Sequence, residues 1–448
     1  MARHPLARLR ESIGLSHPAY AQLVAETHAA LGHGHMADRR EKVSRWESGR
    51  TAPQLTAQFA IAHIHRVPEE DVRRLGWPHW LHLATDDSAL LALPWNPNGA
   101  VEALCDIERR IGSEIGSYLI VTGPVRPKLV RELLAAVAHP ESLPVRDGHR
   151  VTAEVAADIA ARVDVLEELV PVVSPVNLYP AAVGEFRLVT RILADGGYEQ
   201  KAGAGLLHIA SRTAGLCGLL QLARGLNSRA ERCYLAAARA ATAAGDRLLA
   251  SAQTAGLAYS HVATGDARDV FPLIDAARKM PQLPSPSLVV LLHVLEAQAH
   301  ALRSEVTDSV RALDRAAGAL AAIRADEDPV AIRYLRDIDE EWLATASGRT
   351  WFHLGRPQQA LAHLAHLVND DAVSRLRRPF PFAAENMLFV VDAQLALKEL
   401  DAAVCSAHRA VTHFGRTPSS ISRQFQKRFA VHRTVPVVRE FLDLLRLY

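Results

Sequence analysis

Basic and hydroxyl-bearing side chains are concentrated in one short stretch of the chain, between positions 39 and 51. An arginine there can donate two parallel hydrogen bonds to O6 and N7 of guanine, and a glutamate can accept one from N4 of cytosine. Arginine, lysine, serine and threonine also bind phosphates, which positions a protein on DNA without reading its sequence. The candidate DNA-contacting residues are Arg39, Arg40, Glu41, Lys42, Ser44, Arg45, Arg50 and Thr51.

The spacing of two apolar residues predicts the element that presents these side chains. Val43 and Trp46 are three positions apart, so they share one face of a helix and can pack inward. Asp38 is expected to cap the start of this helix, and Gly49 to end it. The side chains left on the outer face are Arg40, Glu41, Ser44 and Arg45.

The residue order around Trp46 resembles the recognition helix of the XRE-type, or lambda-repressor-like, helix-turn-helix family. From Val43 to Pro53 the chain reads V-S-R-W-E-S-G-R-T-A-P, and the family commonly has V-S-R-W-E-x-G-x-x-x-P at this place. The likeness covers residues 5–75, with a first helix and turn upstream and two further helices downstream. It implies a DNA-binding domain over residues 1–80.

One segment departs from the family pattern. The turn between the second and third helices is usually very short, whereas Thr27–Ala37 is longer than the pattern requires. Either the second helix is extended, or a Gly- and His-containing loop bulges out. Each alternative alters the angle at which the recognition helix is held.

The charge of this domain bears on its partners. Residues 1–80 hold 11 Arg and Lys against 8 Asp and Glu, so the surface is only mildly basic. We therefore expect weak binding of a single copy to double-stranded DNA. We expect a homodimer on a palindromic operator to bind more tightly, because the two copies then bind two half-sites in one complex.

The remaining five-sixths of the chain has helical periodicity almost throughout, which predicts an all-α fold. We expect a helical linker with the first solenoid helices over 81–200, and a repeat domain with C-terminal capping helices over 201–448. The short run Tyr118–Thr122 could be a strand, a buried helix or an extended connector, and the last two are favoured.

Paired helices recur weakly in the third region. The clearest unit is Trp342–Asn369, where two helices flank a Leu-Gly-Arg-Pro turn, and similar pairs are predicted near 206–244, 248–280, 287–323 and 383–414. Small residues in the first helices, Gly256, Ala346 and Ala393, would allow two helices to approach closely. The pattern resembles the tetratricopeptide repeat (TPR), which implies an α-solenoid of stacked helical hairpins with a concave groove.

Such a groove is a candidate site for a peptide, small-molecule or protein effector, by analogy with peptide-sensing bacterial regulators. We expect polar side chains on first helices to line it, although each is more often an ordinary surface residue. The candidates are Arg212, Gln253, His293 and Asn386.

Other chemistry finds little support. The four cysteines are scattered along the chain. Histidines cluster at 28, 33 and 35 and again at 353, 363 and 366, but neither group has further ligand residues at the spacing of a metal site. No metal or other cofactor is therefore expected. No nucleophile, phosphate-loop or dinucleotide motif is present, which argues against an enzyme. No apolar run reaches the roughly 20 residues of a membrane helix, and a cytoplasmic location is expected.

The sequence therefore predicts a DNA-binding transcription regulator whose repeats dimerise and sense an effector. The alternative is a protein-interaction scaffold with a degenerate helix-turn-helix.

Overall fold

A computed structural model of the chain describes most residues between 4 and 446. The residues outside the description are 1–3, 79, 113–118, 122–124, 140, 142–150, 266, 268, 283–284, 324–331, 333–334, 336–337, 369–382, 413–418 and 447–448.

The described chain is all-helical, and within it only one isolated bridge, Val151 to Tyr198, has β-type pairing. The expected fold class is thereby confirmed at the level of helical content. Six helices form the N-terminal part: α1 Pro5–Ser12, α2 His17–Ala30, α3 Arg40–Glu47, α4 Leu55–Ile64, α5 Glu69–Leu75 and α6 Leu81–Ala92. Four longer ones follow: α7 Pro97–Arg110, α8 Val125–Ala138, α9 Ala153–Glu168 and α10 Pro175–Asp195.

The C-terminal half consists of consecutive helical hairpins at the places where the sequence predicts them. Their first helices are α11 Gln200–Ala223, α13 Arg247–Ala263, α15 Pro286–Leu302, α17 Glu340–His353 and α20 Ala383–Ala396. Their second helices are α12 Asn227–Ala243, α14 Val270–Lys279, α16 Val306–Leu320, α18 Pro357–His363 and α21 Leu400–Thr412. A short helix, α19 Ala365–Val368, follows α18. Each first helix contacts its own second helix and also the first helix of the next hairpin.

Local sequence signals set the helix boundaries. Side-chain oxygens cap several helix starts by accepting a backbone N–H three residues later, which satisfies a donor that the helix itself cannot. These capping residues are Ser16, Asn96, Thr152, Asp246, Ser285 and Asp339. In the predicted 342–369 unit, Gly355 ends α17 in the left-handed region, with φ of 70°, so the chain can turn back into α18.

Close helix contacts depend on glycine at two positions. A Cβ on Gly256 would lie 2.3 Å from the Tyr234 ring, and one on Gly348 would lie 2.5 Å from Cγ of Leu364. Both glycines therefore let first helices pack against neighbours at distances that alanine would not permit. This confirms the close approach expected at Gly256.

Buried apolar side chains form two clusters. One runs from Leu6 in α1 to Ala346 in α17, and the other from Leu364 to Leu445. The second cluster is closed by α22 Ser419–Phe429 and α23 Pro436–Leu444, which contact each other and the last hairpin. Three aromatic rings, Phe425, Phe429 and Phe441, are buried where these two helices meet.

The described part of the segment around 120, residues 119–121, is an irregular connector rather than a strand or helix. Leu119, Ile120 and Val121 are buried outside any helix, and Tyr118 and Thr122 lie outside the described residues. The backbone N–H groups of Ile120 and Val121 donate to the buried carboxylate of Glu231 in α12, at 2.8 and 2.9 Å. Glu231 thus fixes this connector against the first hairpin.

One helix in the described part of the chain has the length and apolar composition of a membrane span. It is Ala202–Ala223 within α11, and 94% of its most apolar 18-residue stretch is buried among the other helices. That burial accounts for its composition, because a core helix is apolar on all sides.

Candidate nucleic-acid interface

Helix α3 presents its polar face outward, as the sequence predicts. Val43 is fully buried and Trp46 is 6% exposed, and both pack into the core. Of the eight candidate contact residues, Lys42 is half-buried and the other seven are exposed: Arg39, Arg40, Glu41, Ser44, Arg45, Arg50 and Thr51. All eight lie on one short segment that no other described helix covers on its outer side.

Glu47 at the end of α3 holds this helix in place. Its carboxylate accepts hydrogen bonds from Arg10 of α1, with Nε at 2.6 Å and Nη2 at 3.2 Å, and pairs with His17 Nε2 at 2.9 Å. Arg10 also donates to the Leu15 carbonyl at 2.8 Å. Arg10 and Glu47 are both about nine-tenths buried, so the ion pair is shielded from water. It joins three helices, because His17 begins α2.

The long connector before α3 is a loop and not an extension of the second helix. Helix α2 ends at Ala30, and residues 31–39 lead to α3 without regular structure. His28 secures this loop: its Nδ1 contacts the Gly34 carbonyl at 2.9 Å, and its Nε2 contacts the Thr56 hydroxyl of α4 at 3.0 Å. The ring of His33 lies between those of His28 and Phe59. The loop is therefore fastened to both helices that flank α3.

The start of α3 differs from the expectation for Asp38. Arg39 occupies the capping position, with extended backbone and no side-chain cap, because the helix begins one residue later than an Asp38 cap would require. The end of α3 agrees with the prediction for Gly49. This glycine has φ of 70°, its N–H donates to the Trp46 carbonyl, and the Arg50 N–H donates to the Arg45 carbonyl. These paired bonds are a Schellman motif.

The segment after α3 is anchored from behind. Pro53 is buried, and its carbonyl accepts from Gln58 Nε2 at 2.9 Å. Gln58 in turn accepts from the indole N–H of the buried Trp80 at 3.2 Å. This chain of contacts fixes the segment that carries Arg50 and Thr51.

The charge on the outer face is unevenly neutralised. Arg40 Nε contacts Glu41 Oε1 at 3.1 Å, and both side chains are mostly exposed. A hydrogen bond from its own backbone N–H, and then one from Arg40, lower the pKa of Glu41, so this carboxylate is ionised near neutral pH. A salt bridge this exposed contributes little stability, which leaves both groups available to a ligand.

The four candidate groove residues occupy different environments. Arg212 is buried and donates to Glu167 and Asp164 of α9, with its closest contacts at 2.7 Å. Gln253 is fully buried and donates to the Ser211 carbonyl across the first two hairpins. His293 is half-buried beside Glu296 and Arg278. Asn386 is buried, and its Oδ1 accepts no hydrogen bond. The structure does not bring these four together into one site, and Arg212 is already neutralised.

Two of the histidines weighed as metal ligands have hydrogen-bond partners in the protein. Both ring nitrogens of His28 are engaged, and His366 Nε2 contacts the Thr345 hydroxyl at 2.9 Å. Within the described residues, one group has metal-like spacing, formed by His300, Glu305 and Asp308 at the turn between α15 and α16. His300 and Glu305 are already paired at 2.6 Å.

Glu47 and His28 are the two positioning residues whose roles the sequence does not reveal. Glu47 lies within the quoted motif, but its partner Arg10 is 37 positions away. Comparison with protein-family models, curated proteins and solved structures gives no match to this chain. The functional assignment therefore depends on the contacts described above.

Proposed function

We propose that this chain is a sequence-specific DNA-binding transcription regulator with an N-terminal XRE-type helix-turn-helix. The observation that carries the proposal is the division of α3 into two faces. Val43 and Trp46 are buried, while the polar residues around them are exposed on a helix that Glu47 and His28 hold from the other side. A rigidly supported helix with an open polar face is what major-groove recognition requires.

The side chains on this face divide into two kinds of contact. Arg45 would donate to guanine and Glu41 would accept from cytosine, which gives sequence preference. Arg39, Arg50 and Thr51 flank the helix and would bind phosphates, which gives position and salt dependence.

The hairpins support a TPR-like solenoid as the second part of the proposal. Each first helix contacts the next first helix, so the first helices form a continuous row, which in our proposal is the inner one. In our proposal this region dimerises and binds a peptide, small-molecule or protein effector. The effector would then change the spacing of the two DNA-binding heads in a cytoplasmic homodimer. Such a change requires the effector to bind one arrangement more tightly than the other.

Selection from a random DNA library with the full chain tests the proposal. We expect enrichment of a palindromic site, and footprinting on that site should protect two half-sites about one helical turn apart. Analytical ultracentrifugation of the complex should give two chains per site. The scaffold alternative predicts a different result: no sequence is enriched even at low salt, and the DNA binding that remains is equal for all duplexes.

A further inference from the structure

Arg349 in α17 is a buried cation with one unpaired guanidinium donor. It is 7% exposed, and its guanidinium carbon lies 5.2 Å from the centre of the Tyr259 ring and 4.9 Å from that of the Phe389 ring. One guanidinium nitrogen, Nη1, donates to the Tyr259 hydroxyl, and Nε has no hydrogen-bond partner. No carboxylate in the described part of the chain forms an ion pair with it, which is unusual for a buried arginine.

One acidic group, Glu385 of α20, influences Arg349 without forming an ion pair with it. Burial disfavours the charge of the guanidinium, but Tyr259 and Glu385 outweigh this effect and the pKa of Arg349 is raised. Burial raises the pKa of the Glu385 carboxyl, and Arg349 offsets part of that shift. The two rings compensate only part of the cost of burying the guanidinium, since a cation–π contact is weaker than a charge-assisted hydrogen bond. Elsewhere in the chain the buried Arg212 is fully paired with acids, so Arg349 differs from it in kind.

The cluster around Arg349 is formed by first helices of three hairpins. Tyr259 lies on α13, Arg349 on α17 and Phe389 on α20, so the cluster is on the row of first helices that we propose to be the inner one. Asn386 is one turn before Phe389 on the same helix face, and its buried Oδ1 lacks a donor. Nε of Arg349 and Oδ1 of Asn386 are thus an unused donor and an unused acceptor on two first helices that contact each other.

The rim of the cluster is aromatic and partly open. Phe352, His353 and Phe389 are each half-buried and pack edge to face, with centroids 5.6 to 6.0 Å apart. Burial, and then Arg349, lower the pKa of His353 to about 4, so the imidazole is neutral at pH 7 and adds apolar surface rather than charge. Arg349 therefore supplies positive charge at the base of an aromatic wall.

We propose that Arg349, Asn386 and the rings of Tyr259 and Phe389 bind a ligand that carries a carboxylate on an apolar body and an N–H group. The ligand carboxylate would accept a hydrogen bond from Nε of Arg349, and the ligand N–H would donate to Oδ1 of Asn386. The apolar body of the ligand would pack on the two rings. A short peptide with a free C-terminus and a small acylated amino acid share this chemistry. The inference names the ligand class of the sensor region in the proposed function and rests on that proposal.

Calorimetric titration of the full chain, without DNA, tests this site. The probes are N-benzoylglycine and the dipeptide N-acetyl-Leu-Phe, each compared with its C-terminal amide. We expect at least one acid to bind with a Kd below about 1 mM, and its amide to bind at least about tenfold more weakly. Preference for the dipeptide would identify a peptide end as the ligand, and preference for the benzoyl compound a small organic acid.

Variants separate the site from general effects. Arg349→Met should abolish binding of the acid, and Asn386→Ala should weaken it, whereas Arg356→Met at the exposed turn of the same hairpin should leave it unchanged. Thermal unfolding of each variant verifies folding. The proposal is overturned if neither acid binds, if the amides bind equally, or if Arg349→Met still binds. Because no DNA is present, these results are independent of the test of DNA recognition.

Discussion

Arg10 and Glu47 connect the first helix to the end of the third through a nearly buried ion pair with a shortest N–O distance of 2.6 Å. Arg10 has a second carboxylate neighbour, Glu11, at 3.7 Å, but that residue is 45% exposed and lies on α1 itself. The orientation of the candidate recognition helix thus depends on a contact outside its DNA-facing surface.

Replacement of Glu47 tests this dependence. Glu47→Ala leaves Arg10 buried without its anion, and we expect a loss of about 2–4 kcal/mol in the stability of the N-terminal helices. Hydrogen exchange of the full chain should show faster exchange in α1 and α3, together with weaker DNA binding. Glu11→Ala is the matched control and should change neither. Unaltered exchange in Glu47→Ala would show that apolar packing alone orients α3.

Arg45 and Arg50 should affect DNA binding in different ways. Arg45→Ala removes a proposed base contact, so we expect a loss of about 1–3 kcal/mol on the selected operator and relaxed preference at one base pair. Arg50→Ala removes a proposed phosphate contact and should weaken binding to all duplexes, with the slope of log K against log salt reduced by about 0.9. Gel-shift titrations at several salt concentrations distinguish these outcomes. Equal effects of both variants on specific and random DNA would contradict the assigned roles.

The N-terminal helices should lose stability in acid because of His65. The buried Tyr20 hydroxyl contacts His65 Nε2 at 2.7 Å, and burial lowers the pKa of His65 to about 3. The unfolded chain, with a histidine pKa near 6.5, therefore takes up the proton first as the pH falls. The free energy of unfolding is therefore highest above about pH 6.5 and decreases as the pH falls toward about 3. The decrease reaches about 2 kcal/mol at about pH 5.

Hydrogen exchange of the N-terminal peptides at pH 7 and pH 5, corrected for the intrinsic rate, measures this loss. His65→Gln keeps an acceptor for Tyr20 but does not titrate, so most of the pH dependence should disappear. His35→Gln replaces an exposed histidine of the same region and should preserve it. If His65→Gln has the same pH dependence as the wild type, another group is responsible.

Two glycine substitutions should have opposite effects. Gly256→Ala would force a methyl group against the Tyr234 ring, and we expect a loss of about 1–3 kcal/mol as the hairpins move apart. Gly318→Ala in α16 meets no atom within 4 Å and should instead stabilise the protein by about 0.5–1 kcal/mol, through higher helix propensity. Urea unfolding of both variants gives the comparison. A neutral Gly256→Ala would mean that α12 and α13 can separate at no cost.

Local patterns predicted the helices and hairpins well, because periodicity, caps and turn glycines act within a few residues. The buried positions of Val43 and Trp46 follow from their spacing alone. Polar residues were harder, since a polar side chain on a helix has the same pattern whether it faces water or a distant partner. Arg212 illustrates this: it was expected in a groove, but Glu167 lies 45 positions earlier and pairs with it in the interior. The site around Arg349 also depends on three helices that only the packing brings together.

Glu231 provides the strongest test of such long-range contacts. Its carboxylate is fully buried, accepts the N–H groups of Ile120 and Val121, and lies 3.6 Å from His261 Nε2. Glu231→Gln replaces one acceptor oxygen with an NH₂ group, so one buried backbone N–H loses its partner, at a cost of about 1–3 kcal/mol. Glu231→Ala leaves both donors unsatisfied and should cost more. Hydrogen exchange of residues 119–121 should accelerate about tenfold for each 1.4 kcal/mol lost, whereas Glu102→Gln on the exposed side of α7 should have no effect. Unchanged exchange in both Glu231 variants would show that the connector is held by its apolar side chains and that the carboxylate is dispensable.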